Sequence, residues 1–236
     1  MRPDILIVVA ALDEADRISA TLGALADGFP GARIWVADDG STDATAELAR
    51  AAGADVVCSE RGAPRRSGGV GKGQAMTAAT REALSGVGEP ATADLIVILC
   101  DGDLGESAAT LTELAEAVRL GEADMAVARF ARRVGGGIGL AVGFARWTIR
   151  RRCGLRTQAP ISGQRALRAR ALGDVLPFAH GFGMEVGMTI DAVRAGHRVV
   201  EIELDLAHRA TGRTLGGFIH RGRQLVDCMR VYRARR

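Results

Sequence analysis

The chain has 236 residues, of which 47% are hydrophobic and 25% are charged, a composition typical of a globular protein long enough to bury a sizeable core. The formal net charge is +3 at pH 7, which favours anionic ligands such as phosphates and nucleotides, or an anionic membrane surface. No apolar run approaches the roughly 18 residues of a membrane span, and the 4 widely spaced cysteines exclude a CxxC zinc site and a disulfide framework.

Strand and helix patterns alternate along the first half of the chain. Strands are predicted at residues 5–11, 33–37, 55–58, 94–100 and 123–128. Residues 5–11 and 95–100 are uninterrupted apolar runs, which are typical of buried strands. Helical patterns occur at residues 15–27, 42–52, 74–84 and 107–120. This alternation predicts an α/β fold in which helices flank a mostly parallel sheet.

The second half of the chain is less regular. Its patterns predict a basic helix at 140–152, a strand or a loop at 161–167 and a helix at 185–195. Residues 198–206 alternate apolar with charged side chains, as a half-exposed edge strand does. A long amphipathic helix is predicted at 214–235. We expect all of these elements to belong to one domain over 1–236.

Two carboxylates one residue apart, Asp101 and Asp103, directly follow the fourth predicted strand. The carboxyl ends of strands are where open α/β sheets bind their ligands. Like charges held this close are costly unless a cation or hydrogen-bond donors neutralise them, and a divalent metal carrying a diphosphate is a natural cation. An exposed surface turn is the alternative, and the three residues alone leave both interpretations open.

Carboxylates also follow the first two predicted strands, at Asp13 and Glu14 and at Asp38 and Asp39. Parallel strands bring these positions to one crevice, where a carboxylate can accept hydrogen bonds from a ribose or a base. The alternative for the first pair is the acidity favoured at a helix N-terminus. A helix-capping turn would account for one residue of the second pair but not for both.

Lys72 stands between Gly71 and Gly73 at the start of the third predicted helix. Flanking glycines let backbone amides approach an anion, and the ammonium adds a point charge. The absence of GxxxxGK[ST] excludes a P-loop. The lack of GxGxxG after the first strand argues against a dinucleotide enzyme.

Glu185 and His208 are further candidates in the second half. Glu185 lies in an apolar, glycine-rich segment, where a partly buried carboxylate could bind sugar hydroxyls or act as a base. The alternative is an ordinary acidic residue in the first turn of a helix. His208 follows the predicted edge strand and is a candidate third metal ligand, although a lone histidine is more often structural.

Several stretches together resemble glycosyltransferase family 2, whose members usually open with VIPALNE and continue with DDGSTDxT. The matching stretches are residues 8–18 (VVAALDEADRI), 38–45 (DDGSTDAT), 71–73 (GKG) and 101–103 (DGD). In the second half, residues 177–187 and His208-Arg209 are similar to glucosyl-3-phosphoglycerate synthases. Ala10 replaces the usual proline and Asp13 the usual asparagine.

The resemblance implies a Rossmann-like GT-A fold with a nucleotide-binding half at 1–128 and an acceptor-binding half at 129–236. By it, the nucleotide sugar would be held by Leu12, Glu14, Asp38, Asp39, Lys72, Asp101 and Gly102. The metal, Mg²⁺ or Mn²⁺, would be held by Asp103 and His208. Glu185 and Asp101 are the catalytic candidates. The acceptor would be bound by Arg132, Arg133, Ser162 and Arg213.

The predicted activity is the metal-dependent transfer of a sugar from a nucleotide-diphosphate sugar, with a UDP-sugar favoured, to a phosphorylated small molecule. One alternative is a polyprenyl-phosphate glycosyltransferase whose basic C-terminal helix approaches a membrane surface. Others are a nucleotidyltransferase, whose expected glycine-rich loop after the first strand is missing, and a non-catalytic nucleotide-sugar binder. No nucleic-acid partner is expected, whereas peripheral membrane contact and a homodimer are compatible with the sequence. Cysteine usage predicts a cytoplasmic location, either free or at the inner membrane face.

Overall fold

The structure is a computed structural model that describes residues 5–59, 70–86, 94–131, 140–206 and 215–235, without the side chains of residues 182 and 215–224. The strands are β1 (Ile5–Ala11), β2 (Arg33–Asp38), β3 (Asp55–Cys58), β4 (Ile96–Asp101), β5 (Met125–Phe130), β6 (Arg165–Arg168) and β7 (Val199–Leu204). Over these residues they form a single sheet in the order β3-β2-β1-β4-β6-β5-β7. Only the two pairings made by β6 are antiparallel. The predicted α/β fold with a mostly parallel sheet is confirmed.

The helices flank this sheet. They are α1 (Ile18–Gly28), α2 (Thr45–Ala51), α3 (Lys72–Ser85), α4 (Thr112–Arg119), α5 (Leu140–Cys153), α6 (Ala169–Val175), α7 (Met184–Arg194) and α8 (Leu215–Ala234). Short 3₁₀ helices precede α4 and α7, at Gly105–Leu111 and Gly181–Gly183. In the described part of the chain, no helix is both long and apolar enough to cross a membrane.

Burial on both faces of the sheet explains the uninterrupted apolar runs. Along β1, Ile7 and Val9 pack into the core on one face, and Leu6 and Val8 pack into the core on the other. A third apolar cluster joins α5, α7 and α8. Strands buried on both faces have no polar face to alternate with, which is why they read as continuous hydrophobic runs.

The register of the sheet decides where the polar strand ends meet. Ala11 of β1 pairs with Asp38 of β2, and Ala10 pairs with Asp101 of β4. The carboxyl ends of the three strands therefore lie level at one edge of the sheet. This edge is where the candidate site is built.

The structure differs from the local predictions at the start of the first helix and at helix α6. The first helix begins at Ile18 and not at 15, because Glu14 begins a turn in which its carbonyl accepts from the amide of Arg17. The stretch predicted as a strand or a loop at 161–167 contains an antiparallel strand, and α6 after it was not predicted. The predicted edge position of β7 and the C-terminal helix α8 are both confirmed. Among the described side chains of α8, Cys228 and Val231 are buried and Arg233 is exposed, in keeping with an amphipathic helix.

Candidate active site

The ammonium of Lys72, at the first position of α3, joins two carboxylates. Its Nζ lies 2.6 Å from Oδ1 of Asp101 and 2.8 Å from Oε1 of Glu185. Burial by itself would lower the pKa of Lys72, but the charges and hydrogen bonds of the two carboxylates outweigh it, and the pKa is raised above its ordinary value. Lys72 therefore stays protonated and binds Asp101, 29 positions along the chain, and Glu185, 113 positions along the chain.

Lys72 is the only lysine in a chain with 31 lysine and arginine residues. All the other residues in this count are arginines, so a lysine at position 72 is an exception in this sequence. An ammonium is a compact point charge, whereas a guanidinium is a wide planar fork. The space is also narrow, because a Cβ added to Gly163 would lie 2.8 Å from Nζ and 2.7 Å from Oδ2 of Asp101. This geometry selects a lysine at 72 and a glycine at 163.

Asp101, at the end of β4, is bound on both of its carboxylate oxygens. Lys72 donates to Oδ1, and the side-chain amide of Gln164 donates to Oδ2 at 2.7 Å. Gln164 is buried and accepts a hydrogen bond of 3.1 Å from the hydroxyl of Ser162. The structure therefore uses the Ser162 hydroxyl to support Gln164, and its predicted contact with an acceptor stays a prediction.

Glu185 lies in the first turn of α7 and is almost fully buried, with 3% of its surface exposed. Its backbone carbonyl accepts from the hydroxyl of Thr189, one turn further along α7. The expectation of a partly buried carboxylate in an apolar segment fits this placement. The alternative of an acidic first-turn residue also holds geometrically, but the contact with Lys72 brings Glu185 into the site.

Helix α1 holds the Asp101-Gly102-Asp103 turn in place by hydrogen bonds. The hydroxyl of Thr21 donates to the carbonyl of Gly102 and accepts from the amide of Gly105, both at 2.8 Å. The amide of Gly102 donates to the carbonyl of Ala10 in β1. Gly102 thus positions the turn with its backbone, and Asp103 is buried with 6% of its surface exposed. An exposed surface turn, the alternative interpretation, is excluded.

The loops that follow β1 and β2 are tied to each other. Asp13 adopts a positive φ of 54°, and its carboxylate accepts from the amide of Thr42 at 2.7 Å. The amide of Glu14 donates to the hydroxyl of Thr45 at 2.8 Å. These hydrogen bonds join the loop after β1 to the loop after β2, so that the two loops form one wall of the crevice.

The two aspartates after β2 have different roles. Asp38 accepts from the amide and the hydroxyl of Ser41 and so closes its own turn. Asp39 reaches across to the start of α3, where both of its oxygens accept from the amide of Gly71 at 2.9 and 3.1 Å. Gly71 has a φ of 106°, a conformation that glycine adopts without strain. Asp39 therefore sets the position from which Lys72 enters the site.

Some predicted site residues are placed apart or lie outside the description. Leu12 is exposed at the tip of the β1 loop. Arg132, Arg133, His208 and Arg213 lie outside the described residues. Within the described ranges no three His, Cys, Asp or Glu side chains converge to form a metal site. The ligand pair Asp103 and His208 accordingly stays a prediction.

Sequence reasoning missed Thr21, Gln164, Arg165 and Thr189, which hold the charged residues in place. A signal existed for Arg165, since this arginine directly precedes two apolar residues in the stretch at 161–167 that was predicted as a strand or a loop. Arg165 is fully buried, with its Nε donating to the carbonyl of Ser162 and NH1 donating to the hydroxyl of Thr189, both at 2.9 Å. The other three, two threonines and a glutamine, are uncharged polar residues in no recognisable motif, so nothing local marks them.

Comparison with known proteins gives a consistent relationship. The model of Glycosyl transferase family 2 matches residues 6–176. A glucosyl-3-phosphoglycerate synthase of Mycolicibacterium paratuberculosis is 33% identical over 79% of this chain. An undecaprenyl-phosphate mannosyltransferase of Micrococcus luteus is 28% identical over 96% of this chain and 93% of its own length. This chain spans only 59% of the length of the first of these relatives.

Solved structures agree with the sequence comparison. The crystal structure of glucosyl-3-phosphoglycerate synthase from Mycobacterium tuberculosis with Mn²⁺, UDP-glucose and phosphoglyceric acid has a TM-score of 0.69 and 27% identity, covering 97% of this chain and 79% of that one. A complex of the same enzyme with Mg²⁺ and UDP has a TM-score of 0.70. The fold is therefore that of these GT-A neighbours, and the chain belongs to glycosyl transferase family 2.

Proposed function

We propose that the chain transfers a sugar from a nucleotide-diphosphate sugar, preferably a UDP-sugar, to a phosphorylated small-molecule acceptor, with Mg²⁺ or Mn²⁺ as cofactor. One observation carries the proposal, namely that Lys72 bridges Asp101 and Glu185 at the carboxyl edge of the sheet. An ammonium among carboxylates suits a ligand that offers both phosphate oxygens and sugar hydroxyls. The Mycobacterium tuberculosis relative, solved with UDP-glucose and phosphoglyceric acid, supports the same chemistry.

The donor would lie along the level strand ends. The wall formed by Asp13, Glu14 and Asp39 offers acceptors to the base and the ribose. Lys72 and Asp101 would contact the diphosphate and the sugar, which places the anomeric carbon near Glu185. The carboxylate of Glu185 is already bound by the ammonium of Lys72, so we assign Glu185 to positioning the sugar.

The chemistry of the residues present fits a divalent metal. Oxygen ligands are those that Mg²⁺ and Mn²⁺ prefer, and the Asp101-Gly102-Asp103 turn supplies two carboxylates. Asp101 already binds Lys72 and Gln164, so Asp103, together with His208, is the residue we assign to hold the metal. The bound metal would neutralise the diphosphate of the leaving group.

A thermal-shift screen of nucleotide-diphosphate sugars, with and without Mn²⁺, tests this function. A ligand that binds only the native state raises the melting temperature by mass action. We expect UDP-sugars with Mn²⁺ to give the largest rise, and we expect slow hydrolysis of the same donors. If no nucleotide-diphosphate sugar raises the melting temperature or is hydrolysed, the proposed function is wrong.

A polyprenyl-phosphate acceptor is the second candidate, favoured by one surface. This aromatic face consists of Leu140, Phe144 and Trp147 of α5 and Tyr232 of α8, whose three rings lie with centroids 4.9 to 6.5 Å apart. Helix α5 carries four arginines and no acidic residue. Aromatic side chains beside arginines suit an anionic lipid surface. The match to nearly the whole Micrococcus luteus mannosyltransferase supports the same acceptor class.

Vesicle co-sedimentation separates the two acceptors. If the acceptor is a lipid, vesicles rich in phosphatidylglycerol should bind the chain, and Trp147→Ala with Arg150→Gln should weaken that binding. Arg119→Gln, at an exposed arginine of α4, is the matched control and should bind as the wild type does. Absence of binding to anionic vesicles would exclude this candidate and leave the small-molecule acceptor.

A further inference from the structure

One buried cation lies behind the site and is not used by the proposed transfer. Arg165 opens β6, the strand inserted antiparallel between β4 and β5, and it is 0% exposed. Burying a guanidinium is costly unless it is hydrogen-bonded and its charge is compensated. The hydrogen-bond partners of Arg165 therefore indicate its role.

The first set of contacts leads from Arg165 to Asp101. Its Nε donates to the carbonyl of Ser162 at 2.9 Å. The hydroxyl of Ser162 donates to Gln164, whose amide donates to Oδ2 of Asp101. The same segment contains Gly163, which lies against both Asp101 and Lys72. Arg165 thus fixes the backbone from which Gln164 reaches the first carboxylate.

The second set leads from Arg165 to Glu185. NH1 donates to the hydroxyl of Thr189 at 2.9 Å, and that hydroxyl donates to the backbone carbonyl of Glu185 at 2.9 Å. This joins β6 to the first turn of α7, where the Glu185 side chain meets Lys72. The two carboxylates that Lys72 bridges directly are therefore also linked through Arg165, by way of Gln164 and Thr189.

The charges of this group balance. Asp101 and Glu185 bring two negative charges, and Lys72 and Arg165 bring two positive charges. Burial lowers the pKa of Arg165 to about 10, against the charges of Glu185 and Glu201, which raise it. A guanidinium with this pKa is charged at neutral pH, so the carboxylates are compensated before any ligand binds.

We propose that Arg165 is a positioning residue that holds Asp101 and Glu185 at the separation Lys72 can bridge, acting through Gln164 on one side and Thr189 on the other. Because its side chain is fully buried, Arg165 would contact neither donor nor acceptor. This inference rests on the proposed function only for its activity readout, because the positions of the two carboxylates can be measured without a substrate.

The test compares Arg165→Met and Arg165→Lys with Arg168→Met as a matched control. Arg168 ends the same strand on the opposite face, where NH2 donates to the carbonyl of Val118. With a UDP-sugar and Mn²⁺, we expect Arg165→Met to lower kcat by roughly 100-fold, as misplacement of reacting groups by about 1 Å does. Stabilisation by UDP should persist. Arg165→Lys should recover part of kcat, and Arg168→Met should leave it within about twofold.

A second variant keeps the test decisive if Arg165→Met fails to fold. Thr189→Val removes only the link to Glu185 and should lower kcat at an unchanged KM for the donor. If Arg165→Lys and Thr189→Val both keep wild-type kcat, the inference is overturned. If the wild type turns over no donor, the proposed function fails instead. The inference about Arg165 is then tested by comparing crystal structures of the wild type and Arg165→Lys. Displaced carboxylates of Asp101 or Glu185 would support the inference, and unmoved ones would overturn it.

Discussion

The two sides of the crevice are built differently. On the β1 and β2 side, Asp13 in an exposed loop and the buried Asp38 bind hydroxyls and amides of residues in the two neighbouring loops. On the β4 side, Lys72, Asp101 and Glu185 form a largely buried ionic group joined across 29 and 113 positions of the chain. Removing a carboxylate that binds only uncharged hydroxyls and amides leaves no opposite charge behind, whereas breaking a buried ionic group leaves a charge uncompensated. The β4 side should therefore tolerate substitution far less than the other wall.

Removing the bridging ammonium should have the largest effect. Lys72→Met leaves Asp101 and Glu185 without the cation between them, and we expect kcat/KM for donor turnover to fall by about 100- to 1,000-fold. Lys72→Arg should recover little of this, because the space beside Gly163 is too narrow for a guanidinium. Steady-state kinetics with folded protein measures both. Full activity of Lys72→Arg would show that only the charge matters.

Filling that narrow space should come next in size. Gly163→Ala places a Cβ 2.7 Å from Oδ2 of Asp101 and should lower kcat by roughly 10- to 100-fold. Gly173→Ala is the matched control, because a Cβ at that exposed helical position meets nothing within 4 Å. The control should keep its activity and gain up to about 1 kcal/mol in the free energy of unfolding. Equal activity of the two variants would contradict the tight packing around Lys72.

The pH dependence of stability gives a third contrast. A group whose pKa is raised on folding stabilises the protein fully below its unfolded pKa, about 10.4 for lysine, and loses that effect only as pH rises through the folded pKa. The difference in unfolding free energy between wild type and Lys72→Met should thus be the same at about pH 7 and about pH 9.5. Urea unfolding measures it. A difference that grows toward about pH 9.5 would mean that folding lowers the pKa of Lys72 instead of raising it.

The smallest effect is expected on the opposite wall. Asp13→Asn restores the residue usual in the resembled family, and its side-chain oxygen can still accept from Thr42. Asparagine also tolerates the positive φ of this position. We expect kcat/KM to change by less than about threefold, and Asp13→Ala to lower the free energy of unfolding by about 1 kcal/mol. A large loss in Asp13→Asn would mean that its charge contacts the donor.

The same contrast explains what the sequence could predict. The apolar runs and the carboxylates that follow them are local patterns, and the level ends of β1, β2 and β4 follow from parallel pairing. The inserted strand β6 was ambiguous because its pairing depends on β4 and β5, not on its own four residues. Gln164 was missed for the same reason, since it reaches Asp101 across 63 positions.

A crystal structure with UDP-glucose and Mn²⁺ tests the central claim most directly, namely that the donor binds over the Lys72 group. We expect the diphosphate between Lys72 and Asp103, the metal on Asp103, and the sugar ring against Glu185. A donor that binds elsewhere and contacts none of Lys72, Asp101 and Glu185 would contradict the claim.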